Sequence, residues 1–139
     1  MKMCCKSLRE YLKFSWLYML LVFIVSLVML ALLQLKITLA YNLLGALAVA
    51  ITFVAGWNAA KNGFNLKQAF IIGTLCFIGN LWLIPFSIMF YLSNRQIPQN
   101  YFLINLVVIS LISGFLTLLI YIAFALLGFL ISSKIYLKK

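Results

Sequence analysis

The chain of 139 residues has no histidine and a single acidic residue, Glu10. General acid–base catalysis draws mainly on His, Asp and Glu, and hydrolytic metal centres need His or carboxylate ligands. Neither set of residues exists here, so no catalytic residue, cofactor or metal site is expected, and the chain is not expected to be an enzyme. Cysteine is also sparse: Cys4, Cys5 and Cys76 are too few and too badly spaced for a zinc site. There is no Gly-rich phosphate loop and no segment polar enough to form a soluble sensing or nucleotide-hydrolysing domain. Charged residues make up only 9% of the chain, and none falls within its apolar runs. That removes the intramembrane carboxylates and histidines that normally carry protons or balance cations in coupled transport.

What is there is apolar. Hydrophobic residues account for 67% of the chain and the mean hydropathy is +1.18, far outside globular usage. Four apolar runs, each bounded by polar clusters, are placed at Phe14–Leu35, Leu39–Trp57, Ala69–Leu92 and Tyr101–Ser132. Each is long enough to cross a hydrocarbon core, which takes about 20 helical residues. A transmembrane β-barrel would alternate apolar and polar residues along short strands, and runs such as Leu17 to Val25 do not alternate. The expected fold is therefore an all-α membrane protein: one integral membrane domain, four transmembrane helices in a bundle.

Lys2, Lys6, Arg9 and Lys13 ahead of the first run also fit the start of a secretory signal peptide. However, the uncharged stretch Phe14 to Leu33 exceeds a signal core, and Gln34, Leu35 and Lys36 follow where small residues would mark cleavage. The run is read as a retained first helix. Cys4 and Cys5 beside it would be candidates for acylation in a eukaryotic cell, and Cys76 inside the third run is expected to pack as a small apolar side chain.

Basic residues near helix ends are retained on the cytoplasmic side. With the N-terminus inside, that side holds Lys2, Lys6, Arg9, Lys13, Lys61, Lys67, Lys134, Lys138 and Lys139, and the other side only Lys36 and Arg95. Trp16, Trp57 and Tyr136 then fall near the inner interface and Tyr41, Tyr91 and Tyr101 near the outer one, where amphipathic rings settle. N- and C-termini are both expected to be cytoplasmic. The net charge of +10 is accounted for by this orientation, so no nucleic-acid partner is expected. The expected partners are the lipid bilayer and its anionic lipids beside the cytoplasmic Lys and Arg residues.

The segment from Gly56 to Gln68 reads as a helical hairpin. Gly63 can take the left-handed conformation that ends a helix, and Asn65 with Gln68 has the spacing of a capping box. Small residues at a spacing of four let helix backbones approach. Ala46 with Ala50, Ala55 with Ala59, and Gly56 with Ala60 mark a packing face on the second helix, with Ser110 and Gly114 a weaker counterpart on the fourth. In the third run Asn80 lies near mid-span. Pro85 lacks an amide hydrogen and clashes with the carbonyl of Leu81, so a kink beside Asn80 is expected. A polar side chain and a freed carbonyl at one depth are what a discontinuous transport helix presents, while hydrogen bonding across a helix interface is the plainer role for the same Asn. The fourth run exceeds one span, so Tyr101 to Asn105 are expected in the outer interface, with the embedded part starting near Leu106.

Around the hairpin, Phe53-Val54-Ala55-Gly56, Ala59-Ala60-Lys61, Gly63 and Gly73 resemble the pattern of a family of small four-helix bacterial membrane proteins of uncharacterised function. The resemblance covers about 25 residues, and Asn65-Leu66 and Gln68-Ala69 stand where that family tends to another glycine. It implies a multi-pass protein of the bacterial cytoplasmic membrane and supplies no activity. Two expectations about function follow from the residues. The first is a helix-packing accessory, assembly or immunity-type protein bound to another membrane protein. The alternative is a permeation protein: a self-associated homo-oligomeric pore, a holin-like protein, or a small facilitator or transporter. A pore would be built from several copies or from backbone and hydroxyl groups such as Thr52, Thr74, Ser87, Ser110 and Thr117, and a facilitator would use Asn80 and the Pro85 kink.

Overall fold

The computed structural model describes residues 8–35, 38–93 and 99–136, and these are helical except for short turns. Helix α1 runs Leu8–Gln34, α2 Thr38–Lys61, α3 Leu66–Leu81, α4 Leu83–Ser93 and α5 Gln99–Tyr136. Four stretches, Lys13–Leu32, Asn42–Lys61, Leu66–Phe86 and Leu106–Tyr136, are long and apolar enough to cross a membrane. Cys4, Cys5, Lys36 and the connection from Asn94 to Pro98, with Arg95, lie outside the described residues.

The helices overrun their expected ends for a local reason. Hydropathy locates where side chains are apolar, but a helix continues until something stops it. α2 passes Trp57 and runs to Lys61 because nothing breaks it before Gly63, and α1 starts at Leu8, before its first apolar run. The third run is interrupted at the single residue Trp82, between α3 and α4 and three residues before Pro85, while Leu66–Phe86 remains one stretch long and apolar enough to span. Pro85 sits third in α4, inside the first turn, where a missing amide hydrogen costs no intrahelical bond. Trp82 keeps right-handed helical angles, φ −67° and ψ −23°, so the chain bends there without reversing.

The bundle closes by four contacts: α1 packs on α2 and α3, and α5 packs on α2 and α3, with α2–α5 the most extensive. Among the described residues α1 and α5 do not touch and so occupy opposite corners. α4 continues from α3 and packs chiefly on α5. Phe14 of α1 stacks edge-on against Phe64 of the hairpin (5.2 Å between ring centres), while the second half of α5 lies along the second half of α2. The start of α1, the α2–α3 hairpin and the end of α5 therefore share one end of the bundle.

Buried positions on α1 are Ser15, Tyr18, Val22, Ser26 and Met29, spaced three or four apart as one helical face requires. The interior is filled mainly by small and weakly polar residues, among them Ala48, Thr52, Ala55, Ala59, Ala69, Cys76, Ala125 and Ser132. Most of the described Leu, Ile and Phe residues face outwards, for example Leu17, Ile24, Phe70, Leu111 and Phe115, with Phe64, Ile72, Phe77 and Leu83 the buried exceptions. This is the reverse of a water-soluble fold and is the pattern of helices that associate by close backbone contact.

Candidate functional site

The hairpin is stopped and restarted by local chemistry. Gly63 has φ +78°, and its amide donates to the Ala60 carbonyl while the Phe64 amide donates to Ala59 (3.0 Å each). These are the two bonds of a Schellman cap. α3 then opens with a reciprocal capping box: the Gln68 amide donates to Asn65 Oδ1 (2.9 Å) and the Asn65 amide to Gln68 Oε1 (2.8 Å). Phe64, left at the turn, is buried against Phe14. Phe14 stacks on Tyr18 (5.0 Å), and Asn58 Nδ2 donates to the Tyr18 hydroxyl at 2.7 Å. This polar tie between α1 and α2 joins residues 40 apart, and nothing in either neighbourhood announces it.

The small-residue face of α2 divides in two. Gly56 faces α5 so closely that an added methyl would overlap the Ala125 carbonyl, and Ala55 and Ala59 are fully buried. Ala60 is partly buried, but Ala46 and Ala50 are exposed and line an open groove with Gly45, Val49, Phe53, Ile120 and Phe124. The expectation that all six mark one packing face is corrected for Ala46 and Ala50. At about 3.6 residues per turn Ala46 and Ala50 stand half-way round α2 from Ala55 and Ala59, and the residues that close the seam with α5 lie on α5 elsewhere than expected. A methyl at Gly128 would overlap the Phe53 carbonyl, whereas one at Gly114 would meet only Ile84 Cδ1 at 3.8 Å. Ala125, Gly128 and Ser132, three and four residues apart, form the partner stripe. Its signal was present in the sequence as three small residues at helical spacing.

Gly79 does for α1 and α3 what Gly128 does for α2 and α5. A Cβ there would sit 2.6 Å from the Met19 carbonyl oxygen. That approach brings the next residue, Asn80, within 2.6 Å of Ser26 Oγ, both buried. Ser26 Oγ also lies 2.9 Å from the Val22 carbonyl, and one hydroxyl proton cannot serve two acceptors. Turning the Asn80 amide so that Nδ2 donates to Ser26, while Ser26 donates to Val22, satisfies both groups; amide oxygen and nitrogen are interchangeable in shape. Asn80 is thus tied across a helix interface.

The break next to it is bridged by an aromatic. Trp82 Nε1 donates to the Gly79 carbonyl (3.1 Å), and the indole lies between Phe23 of α1 (5.5 Å) and Phe86 of α4 (6.1 Å). Pro85 itself is exposed, so the two halves of the candidate site face different ways. Of the hydroxyls proposed for a pore lining, Thr52, Thr74 and Thr117 donate to carbonyls four residues back in their own helices, Ala48, Phe70 and Ser113. Ser110 Oγ is buried without a partner, and the side chain of Ser87 lies outside the described residues. Cys76 is fully buried and meets Thr52, and Phe77 packs edge-on to Tyr121 (6.4 Å). Among the described residues no cluster of His, Cys, Asp or Glu could hold a metal ion.

The arrangement can hold helices together and present an apolar exterior. No family model, curated protein or solved structure matches the chain.

Proposed function

We propose that this is a multi-pass membrane protein, with both termini and the α2–α3 hairpin on the cytoplasmic side, that works by packing against another membrane protein as an accessory, assembly or immunity-type subunit. The observation that carries this reading is the outer half of α5. Ile104, Leu111 and Phe115 are more than 60% exposed, with Val107, Ile112 and Leu116 beside them. Of the chain's own helices α4 lies nearest there, and α4 covers one side only. Helix association in lipid depends on close packing and hydrogen bonds, since burial from lipid brings no hydrophobic gain. The inner seams of this bundle have that packing and this half-helix has it on one side, so a partner would complete it. The lack of histidine and the single acidic residue favour a role in binding over one in chemistry.

The test is purification of a tagged copy from its native membranes in mild detergent, followed by mass spectrometry of intact complexes. A second protein in stoichiometric amount, lost on combining Leu111→Ala with Phe115→Ala, is the expected result. Recovery of homo-oligomers alone would overturn it in favour of permeation, for which the broken third span beside Asn80 is the supporting feature. A liposome flux assay with Asn80→Leu would then follow. Orientation is tested separately: Lys61→Cys should react with thiol reagents from the cytoplasm and Arg95→Cys from outside.

A further inference from the structure

We infer that the groove between α1 and α3 at the hairpin end is a binding site for one anionic phospholipid, its phosphate on Lys13 and an acyl chain along Met19 and Leu75. The inference rests on the membrane-spanning reading above.

The groove has a volume of about 550 Å³ and is lined by Lys13, Trp16, Met19 and Leu75. Lys13 and Met19 are six residues apart on α1, so the lining descends about 9 Å from the bundle end towards its middle at 1.5 Å per residue. A cation stands at the mouth, an amphipathic ring comes next, and apolar side chains lie at depth. A phospholipid presents the same order of groups, with phosphate outermost, then the glycerol ester region, then hydrocarbon. Trp16 is 62% exposed, at the depth where indoles settle among headgroups.

Charge selects the anionic class. Eleven basic residues face a single acidic side chain, Glu10, one turn before Lys13 on α1, so one carboxylate is set against Lys13 and every other cation. The rest draw counter-charge from outside, and the cytoplasmic leaflet supplies it as anionic headgroups. The other grooves set the comparison. The one between α2 and α5, of about 520 Å³, is lined among the described residues by apolar side chains alone and would admit hydrocarbon without choosing a headgroup. The one on the far flank of α3 carries Lys67 with Leu66, Phe70, Ile71 and Leu126 but no tryptophan.

The test titrates the full chain in mild detergent with phosphatidylglycerol or phosphatidylcholine of identical acyl chains and reads the first bound lipid by native mass spectrometry. Phosphatidylglycerol should bind more tightly. Lys13→Gln should weaken it about fivefold, the effect of one basic residue near an anionic surface, and leave phosphatidylcholine unchanged. Lys13→Arg should retain binding, and Leu75→Trp, which fills the groove, should weaken both lipids. Equal binding of the two lipids by the unaltered chain would overturn the inference, as would an equal loss in Lys67→Gln, which would mark general attraction in place of a site. A photoreactive group on Leu75→Cys that captures polypeptide and no lipid would also overturn it. Alkaline carbonate extraction of the same membranes keeps the two readings apart. Release of the protein would defeat the membrane-spanning reading, whereas an integral protein indifferent to headgroup defeats the lipid site alone.

Discussion

At the hairpin end of the bundle, Gly56 and Gly128 bring α2 and α5 backbone to backbone, and a Schellman cap and a capping box set the turn. At the opposite end, the glycine of α5 has a neighbour only at ordinary van der Waals distance, Ile84 Cδ1 at 3.8 Å from a built Cβ, and α5 is bare over much of its surface. The first end is held by contacts that allow no extra atom. The second leaves room for a methyl at Gly114 on the side of α5 that α4 covers, while Leu111 and Phe115, where the proposed partner would pack, stand exposed. Under the proposed function, stability and interaction would be separated along the length of α5.

The contrast breaks most visibly with added volume. Gly128→Val would drive a side chain into the Phe53 carbonyl and the Trp57 amide, and should cost about 3 kcal/mol or more, the upper range for overpacking. Gly114→Ala should change stability by less than about 0.5 kcal/mol. Unfolding in mixed micelles, followed by tryptophan fluorescence, would show both, and equal tolerance at the two glycines would abolish the distinction. Next in size is the turn. Gly63→Ala forces a Cβ into a left-handed backbone at φ +78° and should cost about 1 kcal/mol, as should Asn65→Ala through the lost cap. Faster amide exchange confined to residues 59–68 is the expected sign of each.

The smallest effect sharpens the comparison from the middle of the bundle. A Ser26–Asn80 double-mutant cycle with Ser26→Ala and Asn80→Leu should give a coupling of about 0.6 kcal/mol, the average for hydrogen bonds between membrane helices. No measurable coupling would mean that the two residues are not paired, and would return Asn80 to the alternative of a transport site.

The hairpin was the most legible part of the chain, because Gly63, Asn65 and Gln68 act on backbone within three residues of themselves. The irregularity beside Pro85 was legible for the same reason, and it takes the form of a one-residue interruption at Trp82, which keeps helical angles. What was not legible is the setting of Trp82, whose indole donates to the Gly79 carbonyl and packs on Phe23 of another helix. The packing face was read half correctly. Ala55, Gly56 and Ala59 are buried while Ala46 and Ala50 border a groove, since a shift of nine residues turns a side chain to the opposite side of a helix. Gly128 was passed over for Gly114 because spacing alone ranks them alike.

Hydropathy, run length and turn chemistry determined from sequence alone that four apolar helices would form, roughly where they would lie, and how α2 would turn into α3. These are properties of single segments, felt within a few residues. Which faces would meet was decided by the tertiary structure: Gly128 against Phe53, Gly79 against Met19, Asn80 on Ser26, Asn58 on Tyr18. Each of these pairs lies on two helices far apart in the chain, and their contact depends on how rigid helices are offset and rotated against one another.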